Sequence, residues 1–306
     1  MSSAYHPSGV TPSVPHPGPL EMGFRGDEVA GWWRSTCGRD IHFRVLRTLD
    51  DLAQAERLQE EVFGVTERDL IPANELIVVS ETGGAVLAAF LPDDPQHAAG
   101  ALLGWGGFVG RPRIVSDFLA VRREARNLGL AAELKRLQAA IALSRGFEEI
   151  VWTVDPLRAA NARLNFGKLG AVASEYEIDR YGSTFATGLY GGMPSDRLHI
   201  TWDIISPRVI ARLLDRDEAE TSPLTSDPSP PPFASGMSGD AALIAIPADI
   251  DALLTEQLAD ALEWRFRLRE VLRQAFAEGF VIMGFRHAAA GANPAYILER
   301  LPEAKD

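Results

Sequence analysis

Hydrophobic positions recur along this chain with two periods, and the change from one to the other marks out its elements. Ile41, Phe43 and Val45 alternate as in a half-buried strand, and Leu49, Leu52, Ala55, Leu58 and Val62 then recur at helical spacing. Thr48 or Asp50 offers that helix an N-cap oxygen, and Gly64 a C-cap free to turn left-handed. Residues 72–82 read as a short helix or turn stopped by Gly83 and Gly84, and residues 85–91 as a buried strand. The Pro92-Asp93-Asp94-Pro95 cluster turns the chain into strands over 101–109 and 113–121. Leu130, Leu134, Leu137 and Ile141 line one face of a helix. A strand over 149–154, a helix over 157–169 closed by Gly170, and a strand over 172–178 follow; Leu198, Ile200, Trp202 and Ile204 alternate in the last strand of this unit.

The two ends of the chain follow different patterns. Residues 1–25 are rich in Pro, Ser, Gly and His with no hydrophobic period, which predicts a loose tail that extends to about residue 38. The polar stretch around Ser226–Pro232, reading S-D-P-S-P-P-P, predicts a linker over 207–240. After it come a strand over 241–246, a helical period at Leu258, Leu262, Leu268, Leu272 and Phe276, and strands over 280–285 and 295–299. This divides the chain into a flexible tail (1–38), an α/β unit (39–206), a Pro/Ser-rich linker (207–240) and a small β-α-β-β appendage (241–306). The appendage is too small to bury a sufficient core alone, so it is expected to pack on the larger unit or on a second copy in a homodimer.

Composition narrows the function. With 306 residues, 46% hydrophobic and 24% charged, the chain is an ordinary globular one. A formal net charge of −12 without any dense Lys/Arg block argues against a nucleic-acid partner held through phosphates. Cys37 is the only cysteine, so there is neither a disulfide framework nor a thiolate metal cluster, and the six histidines show no metal-ligand spacing. No signal segment or membrane-length apolar run is present, and a reducing cytoplasm is the expected compartment.

The chemistry concentrates where the strand over 113–121 meets the next helix, in the run V-R-R-E-A-R-N-L-G-L-A from Val121 to Ala131. A strand that turns tightly into a helix leaves backbone N–H groups pointing at a place for an anion, and Arg126 adds a cation. The core Arg126, Asn127, Leu128, Gly129, Leu130, Ala131 resembles the acyl-CoA pyrophosphate loop of the GNAT N-acyltransferases, in which Arg or Gln precedes Gly-x-Gly-x-Gly or Ala. Asn127 stands in place of the first Gly, and Asn tolerates a left-handed backbone better than other residues with side chains. The order of elements over about residues 40–205 also resembles this family, whose mixed, mostly antiparallel sheet is flanked by helices.

That resemblance implies a set of roles. Backbone groups of Leu119 and Val121 would hold the pantetheine arm, the amides of 126–131 the pyrophosphate, and Asn161 would meet the cofactor. The cosubstrate would be acetyl-CoA or another acyl-CoA such as succinyl-CoA, with no metal. The acceptor would be a small-molecule amine or an amino acid. Asp117, expected on one strand face with Leu119 and Val121, is a candidate base or ammonium clamp, or else a solvated carboxylate at a strand end. Where many members of the family place an acidic Tyr, this chain has Phe166, which has no proton to give. Tyr181 and Tyr176 are the nearest replacements, although buried tyrosines are usually packing residues whose hydroxyl finds any partner. Asp196 and Arg197 precede the last strand and would suit the two charges of an amino acid, or would simply finish a turn. The segment from Gly191 to Trp202, with Asp155–Arg158 and Ile246–Asp249, resembles a GNAT subgroup with a C-terminal extension associated with N-acylamino-acid racemases. The expected activity is direct acyl transfer in a ternary complex. The alternative is an acyl-CoA-binding sensor that has lost its catalytic acid.

Overall fold

The computed structural model describes residues 16–65, 69–182, 191–216, 239–288 and 293–300. Twelve strands form one sheet: β1 (Arg25–Asp27), β2 (Gly31–Thr36), β3 (Arg39–Val45), β4 (Ala85–Leu91), β5 (Asp94–Val109), β6 (Arg111–Val121), β7 (Glu149–Val154), β8 (Val172–Glu177), β9 (Arg197–Asp203), β10 (Ala241–Ala245), β11 (Phe280–Arg286) and β12 (Ala295–Arg300). Their spatial order is β1-β2-β3-β4-β5-β6-β7-β9-β8-β11-β12-β10. The β6–β7 pair is parallel and every other pairing is antiparallel. This is a mixed α/β protein with a mostly antiparallel sheet flanked by helices.

The sheet separates two cores because side chains alternate across it. Val86, Ala88 and Phe90 of β4 pack with Leu52 and Leu58 of α1 (Leu49–Phe63) and Leu76 of α2 (Ala73–Glu81). Leu87 and Ala89 of the same strand face the other way, toward Leu130, Leu134 and Leu137 of α3 (Leu130–Ser144). Local chemistry sets the boundaries of α1. Thr48 Oγ1 accepts from the Asp51 amide at 3.2 Å, and Gly64 at φ 61° returns its N–H to the Glu60 carbonyl.

Three regions depart from the sequence reading. The stretch expected to be a loose tail contains β1 and β2, held by Met22, Phe24 and Trp32, which join the α3-side core, and by an edge-to-face contact of Phe24 with Phe43 at 5.6 Å. Pro-, Gly- and Ser-rich surroundings hid this short hairpin, whose order comes from tertiary burial. The expected linker opens with a helix, α5 (Pro207–Leu213), whose Val209 and Leu213 are buried. The expected helix over 157–169 is α4 (Ala159–Ala162) continued by a π-helical stretch, Arg163–Leu169, that ends at Gly170 with φ 72°.

The C-terminal segment continues the sheet. β11 pairs with β8 through Ile282 and Ala173, and α6 (Ile250–Glu256) and α7 (Leu258–Ala277) precede it. Packing on the larger unit supplies the burial that a β-α-β-β piece lacks alone. Among the described residues, no helix is long and apolar enough to cross a membrane.

Candidate active site

β6 and β7 pair only at Ile114 with Ile150 and Val115 with Val151, and then part. Ser116 and Trp152 are therefore the first residues of an opening between two neighbouring strands. A bulge on the other side of β6 sharpens it. Leu102 faces Leu119 while Gly104 faces Ser116, so Asp117 and Phe118 both stand opposite Leu103. The bulge breaks the alternation: Ser116 meets α3, Phe118 and Ala120 join the core under α1 and α2, and Leu119 and Val121 return to the α3 side. The expectation that Asp117, Leu119 and Val121 share a face thus fails, because the extra residue shifts the period between them.

Asp117 is exposed, yet burial by the protein around it raises its carboxyl above the ordinary aspartate range. Asp117 thus stands at the bulge, open to solvent, beside the place where β6 and β7 part. No hydrogen bond or ion pair engages this carboxylate among the described residues, which leaves its oxygens free to meet a ligand.

The backbone of the turn from β6 into α3 has the geometry to receive an anion. Asn127 has φ 70° and Gly129 φ 80°, so both take the left-handed conformation that the motif requires. The hairpin between β2 and β3 lies against one side of this turn: Thr36 Oγ1 donates to the Leu128 carbonyl at 3.0 Å, and Cys37 Sγ to the Asn127 carbonyl at 3.5 Å. A trans peptide sets N–H opposite C=O, so the Gly129 amide points away from the hairpin. The amides of Leu130 and Ala131 head α3, where no intrahelical carbonyl reaches them, while the Gly129 carbonyl takes the Ala132 and Glu133 amides at 3.0 and 3.2 Å. Arg126 is exposed beside them.

Other expected residues are distributed around this cleft. Asn161 is half-buried at the start of the helix after β7. Phe166 is fully buried, its ring edge-to-face with Tyr296 at 5.4 Å. Trp152 faces α3, so Thr153, the next residue on β7, faces away from it. The Tyr181 hydroxyl lies 3.3 Å from Thr153 Oγ1, which places this exposed tyrosine on the side away from α3. The same side carries His199, paired across the strands with Thr153 and bonded to Glu177 at 2.7 Å. Glu175 lies within 4.0 Å of that imidazole.

Asp196 and Arg197 are not an open loop pair. The Asp196 side chain is wholly buried, and its oxygens accept from the Tyr176 hydroxyl at 2.7 Å, the Asp179 amide at 3.0 Å and Arg269 of α7 at 2.8 and 2.9 Å. Arg197 is also buried and donates to the Asp196 carbonyl. These contacts occupy Asp196 in tying α7 to the sheet and leave no room for an ammonium. Tyr176 is committed as well, and its hydroxyl is pushed up by burial and by the Asp196 charge. The sequence reading missed this because the partner, Arg269, lies 73 residues away.

Two more groups escaped the sequence reading. Asp155, at the end of β7, forms a fully buried ion pair with Arg265 of α7 at 2.8 Å. Lys135 of α3 is buried, donates to Ser116 Oγ at 2.8 Å and lies 3.5 Å from the centre of the Trp152 ring. A signal for Lys135 existed. The segment from Leu130 to Leu143 has apolar residues on every side, and such a helix buries whatever polar residues it carries.

No family model matches the chain, and no curated protein matches it. Among solved structures, the chain is similar to a chain of the NatC complex bound to Gag peptide and CoA, with 14% identity, TM-score 0.44, and coverage of 53% of this chain and 98% of the other. It is also similar to an acetyltransferase of the GNAT family from Streptococcus pneumoniae, with 19% identity, TM-score 0.42, and coverage of 53% and 97%. A third is the ribosomal-protein-S18-alanine N-acetyltransferase from Escherichia coli, with 14% identity, TM-score 0.43, and coverage of 54% and 94%.

Proposed function

We propose that this protein is an acyl-CoA-dependent N-acyltransferase of the GNAT type, acting by direct attack of an amine on the thioester. The observation that carries the reading is the conjunction at β6. The strand leaves its parallel neighbour, bulges at a free carboxylate, and runs directly into a helix whose first amides are open to an anion. Each part answers one need of acyl transfer from a nucleotide-tailed thioester. The left-handed turn at Asn127 and Gly129, with the Leu130 and Ala131 amides and Arg126, binds the pyrophosphate. The unpaired backbone of Leu119 and Val121 bonds the pantetheine arm as an adjacent strand would, and Asn161 meets it from the far wall. The acyl-CoA is acetyl-CoA or a short relative such as succinyl-CoA.

Asp117 takes the proton of the attacking amine. Burial raises its pKa, which brings the carboxylate nearer to the amine in basicity. The acceptor enters on the side away from α3, where Asp117 and the exposed Glu175 suit the ammonium of a small-molecule amine or amino acid, while Glu177 is taken up by Arg180 and His199. Tyr181 stands on that side and bonds acceptor or acyl oxygen rather than the coenzyme's tail. Thermal unfolding with acetyl-CoA, succinyl-CoA and free CoA tests the reading, because a ligand that binds only the folded chain must raise its stability. Absence of any shift at millimolar ligand refutes it. A thiol-release assay over a panel of amines then separates an enzyme from a binding module: acceptor-dependent release of CoA is expected, and binding without release would favour the sensor reading.

A further inference from the structure

The parting of β6 and β7 has a lysine at its inner end. Lys135 Nζ bridges the two strands where their pairing stops, bonded to Ser116 Oγ on one and lying over the Trp152 ring on the other. Its side chain is buried, and no carboxylate pairs with it among the described residues. A buried ammonium without a counterion is costly, and an apolar residue of similar length would fill the same space without that cost. A group kept at such expense beside the parting of β6 and β7 is placed to meet a charge that arrives from outside.

We infer that Lys135 is the partner of the coenzyme's sulfur, donating to the thiolate as it leaves the acyl group. The inference rests on the acyl-CoA reading above. Its geometry follows from β6. From Val121, beside the anion cradle, to Ser116, beside Lys135, is five residues, or about 17 Å at strand rise. An extended pantetheine arm covers that distance, so a pyrophosphate at the α3 N-terminus brings the sulfur to the neighbourhood of Ser116 and Lys135. Burial lowers the Lys135 pKa well below the ordinary lysine value, with no charged neighbour on α3, β6 or β7 resolved as a cause, so the side chain, once it carries a proton, releases it more readily than a surface lysine. The step balances as follows. The amine nitrogen bonds to the acyl carbon and gives a proton to Asp117; the C–S bond breaks and its electron pair stays on sulfur; the Lys135 ammonium protonates that thiolate and becomes a neutral amine. Asp117 then loses its proton to water, and Lys135 regains one from water. Phe166 is explained in the same terms, since a proton donor on α3 makes a phenol in the following helix unnecessary.

The test needs no knowledge of the acceptor. Calorimetric affinities for CoA and for desulfo-CoA, which lacks the thiol, are measured on the full chain and on Lys135→Met. Wild type is expected to bind CoA about tenfold or more tightly than desulfo-CoA, the lower end of what a hydrogen bond to a charged group contributes. Lys135→Met is expected to lose that preference while binding desulfo-CoA as wild type does, a pattern that a merely structural lysine would not give. Thermal unfolding checks that the variant is folded, with Lys135→Leu as its substitute. Equal affinities in wild type, or a preference that survives in the folded variant, overturn the inference and leave the acyl-CoA reading standing. Binding of neither ligand to wild type removes both.

Discussion

The buried ion pair between Asp155 and Arg265 joins the end of β7 to the C-terminal helix α7, and its removal one partner at a time has a calculable cost. The Asp155 and Arg265 side chains are 2% and 0% exposed, and the pair is 2.8 Å apart. Asp155→Ala leaves the guanidinium buried without its carboxylate, at a site where its Nε and Nη1 already have no hydrogen-bond partner among the described residues. Breaking a buried pair in this way costs about 3–5 kcal/mol, a large share of the roughly 5–15 kcal/mol that holds a protein folded. With an m-value of about 3 kcal/mol/M in urea, the unfolding midpoint should fall by about 1–1.7 M. The double variant Asp155→Leu, Arg265→Met should recover most of the loss, because neither charge then remains buried. Acidity gives a second readout. Burial alone would raise the Asp155 carboxyl, but the charge and hydrogen bond of Arg265, with Arg158 and the Leu157 amide, outweigh it and leave the value lowered. A carboxyl lowered by folding contributes stability above its unfolded pKa and loses it as pH falls through the folded one. Wild type should therefore surrender this contribution at the acid end, below the ordinary aspartate value, and the double variant should not. An Asp155→Ala midpoint within 0.3 M of wild type, about 1 kcal/mol on the same slope, would refute the reasoning.

Three further outcomes are expected. Asp117→Asn should lower kcat by about 10²–10⁴-fold with little change in acyl-CoA affinity. In wild type, activity should fall as pH drops through a limb above the ordinary aspartate pKa, because the base works only when deprotonated and burial has raised it; steady-state pH profiles of the two proteins show whether that limb belongs to Asp117. Gly129→Ala forces a side chain into φ 80° and sets a Cβ 2.7 Å from Thr36 Oγ1, so it should cost about 1–2 kcal/mol of stability and abolish CoA binding by calorimetry. Phe166→Tyr should gain no activity and lose about 1–3 kcal/mol in urea unfolding, since its new hydroxyl lies in a fully buried edge-to-face contact with Tyr296.

Local chemistry was readable where the interactions are local. Gly64, Gly170 and Asn127 each adopt the left-handed backbone that their neighbours in sequence call for. Periodicity placed β4, α3 and β7 because each buries one face or all faces against the same sheet. The bulge at Asp117 was not readable, because it is a property of the β5–β6 register and leaves no mark on β6 alone. Nor could spacing reveal that Asp196 belongs to Arg269, or Asp155 to Arg265, since those pairs form only after α7 packs. The order of β1 and β2 was hidden for the same reason: Phe24 and Trp32 are unremarkable among prolines and glycines until Phe43 and α3 receive them.

The short N-terminal hairpin matters for how the molecule can be cut. A chain trimmed to begin at Arg39 would strip β2 from β3 along five residue pairs and turn an interior strand into an open edge able to recruit another chain. It would also remove Thr36 and Cys37, whose contacts hold the carbonyl side of the turn at Asn127 and Leu128. Such a shortened protein should aggregate, and any soluble fraction should bind nucleotide poorly, although the cut lies about 90 residues from the loop it disables.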